Sequence, residues 1–107
     1  MNILFVCSKN KWRSRTAETI FQNDQRHKIR SAGTENDARI RITEKLVNWA
    51  DLIFVMEKRH KERLEDKYRM LISQKEIIIL NIQDEYQYMD SELIEMLRAS
   101  VSTYLDK

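Results

Sequence analysis

The sequence contains few of the residues that make turns and crosslinks. Its 107 residues include one cysteine, one glycine and no proline. A single cysteine excludes a disulfide framework and a cysteine-rich zinc site. A fold with many hairpins is disfavoured, because its tight turns need glycine and proline. The length fits one domain, residues 1–107, and a hydrophobic content of 42% is enough for a modest core.

Long hydrophobic runs are missing as well. No stretch approaches the roughly 20 apolar residues of a membrane span. The apolar run at residues 3–6 is too short for the core of a secretory signal, and charged residues follow it. We therefore expect a cytoplasmic protein with no membrane partner, and the lone thiol fits a reducing compartment.

The charge is distributed unevenly along the chain. Residues 1–41 hold nine Lys and Arg against four Asp and Glu, a net charge of +5, whereas the remainder has a net charge of −3. The basic end indicates an anionic ligand near the N-terminus.

Three continuous apolar runs, at residues 3–6, 52–55 and 77–80, predict strands buried on both faces of a parallel sheet. Residues 28–31 are a weaker candidate, for an edge strand. Helical spacing predicts helices over 14–25, 43–50, 57–71 and 91–105, with Ser14, Thr43 and Asp90 as N-caps. His60 is spaced with Leu64 and is interpreted as a helix-face residue. The alternation of strands and helices predicts an α/β sandwich.

The chemistry is expected in residues 7–14, between the first strand and the first helix. A strand, a short loop and a helix N-terminus form an anion site from backbone amides alone. Cys7 in such a field is favoured as a nucleophilic thiolate, and the planar fork of Arg13 can hold two phosphoryl oxygens. The hydroxyl of Ser14 can donate to the thiolate while capping the helix. Asn10 tolerates left-handed backbone and can brace the loop.

The segment CSKNKWRS, followed by RTAETIF, resembles the phosphate-binding loop and first helix of the low-molecular-weight protein tyrosine phosphatases. That family has the pattern Cys-x5-Arg-Ser with Asn in the middle. The resemblance continues in Ser-Ala-Gly-Thr at residues 31–34, in the third strand at 50–57, and in Asp-Glu-Tyr at 84–86, where the family has Asp-Pro-Tyr. The chain is shorter than typical members, mainly after Gly33.

The resemblance implies a three-layer sandwich with a central four-stranded parallel sheet of order 2-1-3-4, flanked by helices, with the phosphate loop after strand 1. It also implies a phosphatase that hydrolyses phosphotyrosine or a similar aryl phosphomonoester through a phosphocysteine intermediate. The partner would be a phosphorylated protein or a small aryl phosphate. No metal or other cofactor is expected, because backbone dipoles and the guanidinium supply the positive field.

The roles implied by the resemblance follow the motif positions. Cys7 would attack phosphorus, and Arg13 would stabilise charge on the equatorial oxygens. Asp84 would protonate the leaving oxygen and then activate water. Phosphate binding and loop support would come from Ser8, Lys9, Asn10, Lys11, Trp12 and Ser14. Tyr86 and Tyr88 are candidates for a pocket wall that stacks on an aryl ring, and the alternative is that they are surface tyrosines on a loop.

The sequence departs from the family pattern at three positions. Lys9 stands where the family usually has glycine, so a strained or altered loop backbone is expected there. Trp12 stands where many members have a second cysteine. Glu85 replaces the proline after Asp84, which makes Asp90 a rival general acid, although Asp90 suits an N-cap better.

Other functions stay open at this point. A thiol-dependent arsenate reductase shares the loop but passes its oxidised thiol to further cysteines, which this chain lacks. A phosphocysteine carrier or a non-hydrolytic phosphate-binding module is a second alternative, although such carriers generally lack the arginine and the acid. Nucleic-acid binding is not expected, because the basic residues cluster on the anion loop and not along a face with interleaved aromatics.

Overall fold

Strands and helices alternate along the chain, as the apolar runs predict. The computed structural model describes residues 1–106. The elements are β1 (Asn2–Cys7), α1 (Arg13–Phe21), β2 (Lys28–Gly33), α2 (Glu44–Trp49), β3 (Leu52–Val55), α3 (Lys58–Ile72), β4 (Glu76–Ile79) and α4 (Ser91–Leu105). Among these helices, none has the length and apolar character needed to span a bilayer.

The four strands form one parallel sheet in the order β2-β1-β3-β4, which confirms the expected topology. Because β1 pairs with β2 on one side and with β3 on the other, the strand order reverses at β1. Ligands of open α/β sheets bind beyond the carboxyl ends of the strands at such a reversal. The loop after Cys7 therefore starts at the position where this fold type places its ligand.

Alternate residues of β1 enter two separate cores, one on each face of the sheet. Ile3 and Phe5 pack with residues of α1 and α4, whereas Leu4 and Val6 pack with residues of α2 and α3. All four side chains are fully buried. The continuous apolar run is thus explained by helices on both faces, and β1 is held rigidly from both sides.

Two of the three predicted N-caps are present. Thr43 Oγ1 accepts a hydrogen bond from the amide of Leu46 at 3.2 Å. Asp90 Oδ1 accepts from the two amides at the start of α4, at 2.9 and 3.3 Å. The prediction for Ser14 was wrong: α1 begins at Arg13 after Trp12, which makes no side-chain cap, and the Ser14 hydroxyl bonds elsewhere.

Some predicted boundaries also shift. α1 ends at Phe21 instead of residue 25, because the backbone turns there and Asp24 N donates to Phe21 O at 3.0 Å. β4 covers residues 76–79 instead of 77–80, and Leu80 is half-buried beyond its end.

Candidate active site

Residues 7–14 border a cavity of about 390 Å³ at the carboxyl edge of the sheet. It is lined by Cys7, Ser8, Lys9, Lys11, Trp12, Arg13, Glu35, Arg59 and Asp84. The structure thus brings the predicted nucleophile, arginine and acid into one cavity. Glu35 and Arg59 were not identified from the sequence, because they reach the cavity from segments distant in the chain.

The backbone of the loop is held from outside by residues 34–39. The carbonyl oxygens of residues 7–10 accept hydrogen bonds from the amides of Thr34, Glu35 and Arg39 and from Arg39 Nε, at 2.9 to 3.0 Å. These hydrogen bonds direct the carbonyl oxygens of the loop toward residues 34–39 and away from the cavity. An anion site made of backbone requires this, because a carbonyl directed at the ligand would repel it.

The single glycine of the chain lies where this loop passes closest to β2. A Cβ on Gly33 would stand 2.5 Å from the carbonyl oxygen of Ser8 and 2.9 Å from the carbonyl carbon of Lys9. Gly33 does not adopt a positive φ, so the reason for glycine here is close approach.

The thiol of Cys7 is held by two groups of the loop. Asn10 N donates to Cys7 Sγ at 3.2 Å, and Ser14 Oγ lies 2.9 Å from the same sulfur. Asn10 Nδ2 donates to Ser14 Oγ at 2.7 Å, so the hydroxyl proton of Ser14 is available to the sulfur at 2.9 Å or to the carbonyl oxygen of Ala32 at 3.4 Å. The sulfur therefore lies within hydrogen-bond distance of one backbone amide and one hydroxyl group at the base of the cavity.

Arg13 is fully fixed on one edge of its guanidinium. The side chain is only 2% exposed. Its Nη1 donates to Glu57 Oε2 at 2.6 Å and to the carbonyl oxygen of Ile82 at 2.7 Å. The opposite edge, Nε and Nη2, is the one that can grip two oxygens of a bound phosphoryl group.

The carboxylate of Glu57 is shared between two guanidinium groups. Arg59 Nη2 donates to the same Oε2 at 2.9 Å. Burial acts to raise the pKa of Glu57, but the hydrogen bonds from Arg59 and Arg13 outweigh it and lower the pKa below its ordinary value. Glu57 is therefore an anion at neutral pH and anchors Arg13.

Asp84 and Asp90 lie in different environments. Asp84 lines the cavity, half-exposed, with Oδ1 3.8 Å from Arg13 Nε. Asp90 is engaged in capping α4 and does not line the cavity.

The sequence model of the low molecular weight phosphotyrosine protein phosphatases matches residues 2–48 of the chain. This match includes the whole phosphate loop and its supporting segment. The match covers less than half of the chain and shows that residues 2–48 are similar to this phosphatase family. The resemblance stated from the motifs is therefore confirmed.

Solved structures of such phosphatases share the fold over the whole chain. The tyrosine phosphatase Wzb of Escherichia coli K30, in complex with phosphate, is 20% identical with a TM-score of 0.79, and the match covers 98% of this chain and 96% of that chain. Vibrio vulnificus Wzb in complex with benzylphosphonate is 20% identical with a TM-score of 0.78, covering 98% and 97%. The YwlE arginine phosphatase of Geobacillus stearothermophilus is 19% identical with a TM-score of 0.65, covering 95% and 84%. No curated protein matches the chain.

Lys9, at the usual glycine position of the phosphatase family, does not adopt the left-handed backbone that favours glycine. The left-handed residue of the loop is Asn10, with φ of 58°, and Lys9 has no positive φ. Lys9 Nζ pairs with Asp37 Oδ2 at 3.4 Å. Lys9 therefore needs no left-handed backbone, because the neighbouring asparagine makes the turn.

The two candidate tyrosines for the pocket wall lie elsewhere. Tyr86 packs against α4, with its hydroxyl 3.7 Å from Met96 Sδ. Tyr88 bonds Thr19 through its hydroxyl and stacks under Arg15. Neither lines the cavity, and the aromatic side chain at its mouth is Trp12, 42% exposed.

His60 belongs to the site, although its helical spacing indicated only a helix face. It is 1% exposed and lies 2.9 Å from Ser8 Oγ through Nε2. Burial, followed by the charges of Arg13 and Arg59, lowers the pKa of His60 from 6.5 to about 4. Glu57 and His60 form a helix-capping box at the start of α3, with a residue pair that differs from the usual Ser/Thr and Glu/Gln pattern. Within residues 1–106, no cluster of His, Cys, Asp and Glu could hold a metal ion.

We predict that Gly33→Ala lowers stability and phosphate affinity together. The added Cβ must displace the loop backbone at Ser8, and overpacking of this kind costs about 1–3 kcal/mol. Urea unfolding and titration with inorganic phosphate measure the two effects. The double variant Gly33→Ala/Ala38→Gly lacks one of the three close contacts, the one with Ala38 Cβ. It should recover little of the lost stability or phosphate affinity, because the two contacts with the loop backbone remain. A Gly33→Ala protein that equals wild type in both measurements would show that the close approach is not needed.

We also predict that stability falls between pH 7 and pH 5 because of His60. In this range the unfolded histidine, with its pKa near 6.5, takes up a proton that the folded one, with its pKa about 4, does not. Protons therefore favour the unfolded state as the pH falls, by about 2 kcal/mol over this range. Denaturant unfolding at several pH values measures the free energy of unfolding. Between pH 7 and pH 5 this free energy should fall less in His60→Gln than in wild type, whereas His27→Gln should show the wild-type fall. Equal slopes in all three proteins would contradict the prediction.

Proposed function

We propose that the chain is a cysteine-dependent phosphatase that hydrolyses phosphotyrosine or a similar aryl phosphomonoester through a phosphocysteine intermediate. The observation that carries the proposal is the arrangement of Cys7, Arg13 and Asp84 around one cavity, with the sulfur held by Ser14 and Asn10. The family match of residues 2–48 supports a cysteine-based phosphatase independently of this geometry.

In the first step the Cys7 thiolate attacks phosphorus and the bond to the aryl oxygen breaks. The Nε and Nη2 edge of Arg13 and the loop amides stabilise the charge on the equatorial oxygens. Asp84, protonated, gives its proton to the leaving oxygen, so the products are a phosphocysteine and a neutral phenol. Glu57 and the Ile82 carbonyl keep Arg13 in place during this step.

In the second step the same aspartate acts as a base. The Asp84 carboxylate takes a proton from water, whose oxygen attacks the phosphocysteine. Inorganic phosphate leaves and the thiolate of Cys7 is regenerated. The hydroxyl of Ser14, already fixed by Asn10 Nδ2, stabilises the sulfur as a leaving group.

A second candidate substrate is an N-phosphorylated arginine side chain. The cavity carries two carboxylates, Asp84 and Glu35, which could face a guanidinium leaving group. Its mouth lacks the tyrosine wall that would stack on a phenyl ring, and one protein of the same fold is an arginine phosphatase. Turnover of free phosphoarginine compared with an aryl phosphate, at equal enzyme concentration, separates the two substrate classes.

We predict that the wild-type protein hydrolyses a chromogenic aryl phosphate under reducing conditions and that Cys7→Ser abolishes this activity. The serine hydroxyl is a far weaker nucleophile at neutral pH than a thiolate. Circular dichroism should show that the variant keeps its fold. Absence of turnover of both aryl phosphate and phosphoarginine by the reduced wild-type protein would contradict the proposal and favour a non-hydrolytic binding role.

We further predict that Asp84→Asn lowers kcat for aryl phosphate by about 10²- to 10⁴-fold, the usual contribution of a general acid–base group. Asp90→Asn is the matched control, since asparagine caps a helix as well as aspartate and Asp90 lies outside the cavity. Steady-state kinetics of both variants measure the difference. If Asp90→Asn is the slower enzyme, the assignment of the acid is wrong.

A further inference from the structure

The side chain of His60 connects two parts of the site that are distant in the sequence. Its Nε2 lies 2.9 Å from the hydroxyl oxygen of Ser8, which belongs to the phosphate loop. Its Nδ1 accepts a hydrogen bond from the amide of Glu57 at 3.1 Å. Glu57 in turn holds Arg13. One imidazole therefore contacts both the loop and the residue that anchors the arginine.

The hydrogen bond from Glu57 fixes the tautomer of this imidazole. A backbone amide can only donate, so Nδ1 carries no proton. In the neutral ring the proton then resides on Nε2, which donates to Ser8 Oγ. A charged imidazole would lose the bond from Glu57 and would add a cation beside Arg13 and Arg59. Burial and these two guanidinium groups keep the pKa of His60 low, so the neutral ring is the form present at neutral pH.

Ser8 is thereby held on both sides. Its carbonyl oxygen accepts from the amide of Glu35 at 2.9 Å, and its hydroxyl oxygen accepts from His60. Ser8 directly follows Cys7 and lines the cavity, so its position determines where the first part of the loop lies relative to the sulfur. A loop free to move at Ser8 would not keep its amides opposite the Arg13 guanidinium.

We propose that His60 is a positioning residue for anion binding, in which its Nε2–H fixes Ser8 and with it the phosphate loop opposite Arg13. This inference rests on the proposed function in one respect, namely that the cavity binds a phosphoryl group. His60 lies on α3, outside the loop motif, and acts on the ligand through Ser8.

Substitution of His60 by asparagine or by glutamine tests its contacts with Glu57 and Ser8 separately. In His60→Asn the amide lies near the former Nδ1, where it can still accept from Glu57 but does not reach Ser8. In His60→Gln the longer side chain can again donate to Ser8. We expect inorganic phosphate to bind about tenfold more weakly to His60→Asn and to Ser8→Ala, and close to normally to His60→Gln. His27→Gln is the matched control, because His27 bonds Leu105 at a different part of the fold.

The double variant His60→Asn/Ser8→Ala tests whether the histidine acts through the serine. If it does, phosphate binds to the double variant no more than about twofold more weakly than to either single variant. In steady-state kinetics, weaker phosphate binding should raise both KM and the inhibition constant of phosphate. Melting temperature alone does not decide, since any buried residue would change it.

Three results would overturn the inference. They are normal phosphate affinity in Ser8→Ala, losses that multiply in the double variant, and a loss in His60→Gln equal to that in His60→Asn. Should His60→Asn not fold, Ser8→Ala and His60→Gln still decide. Phosphate binding is measured without turnover, so a wild-type protein that binds phosphate but hydrolyses no substrate would contradict the proposed function and leave this inference intact.

Discussion

The architecture of the site depends on the hydrogen bonds that residues 34–39 make to the carbonyl oxygens of residues 7–10. They turn the carbonyl groups of the phosphate loop outward and leave the inner side of the loop for an anion. The bonds are possible because β1 and β2 are adjacent parallel strands that end level with one another, Cys7 beside Gly33. The missing side chain of Gly33 lets the two segments approach. A short chain thus builds an anion site with few residues to frame it.

Arg13 is buried, yet one edge of its guanidinium stays available to a ligand in the cavity. Arg13 is removed from solvent, and Glu57 compensates its charge from the edge opposite the one that would hold the phosphoryl oxygens. Glu57 also accepts a hydrogen bond from Arg59. One carboxylate therefore faces two guanidinium groups and cannot neutralise both of their charges. His60 contributes hydrogen bonds without charge. The cavity lining thus combines four cationic side chains, Lys9, Lys11, Arg13 and Arg59, with the carboxylates of Glu35 and Asp84.

The fold and the nucleophilic loop could be predicted because their signals are local. Continuous apolar runs marked three strands, and Cys7, Asn10, Arg13 and Ser14 lie within eight consecutive residues. The partners of Arg13 and Ser8 could not be predicted, because they lie 44 to 69 residues away along the chain. Ser14 was misassigned as an N-cap because a serine at a helix start can either cap the helix or bond a neighbouring side chain. In the structure its hydroxyl lies against the thiol of Cys7. Tyr86 and Tyr88 were misplaced because their packing against Met96 and Arg15 has no local signature.

The central claim is that Cys7 carries the phosphoryl group between substrate and water. The phosphocysteine can be detected by mass spectrometry of protein quenched during turnover of 4-nitrophenyl phosphate. The 4-nitrophenolate of this substrate leaves without a proton from Asp84, so Asp84→Asn slows the hydrolysis of the intermediate more than its formation. We predict that Cys7 gains the mass of one phosphoryl group, that the modification disappears once substrate is exhausted, and that no other residue is modified. Turnover without phosphorylated Cys7, or with the phosphoryl group on another residue, would contradict it.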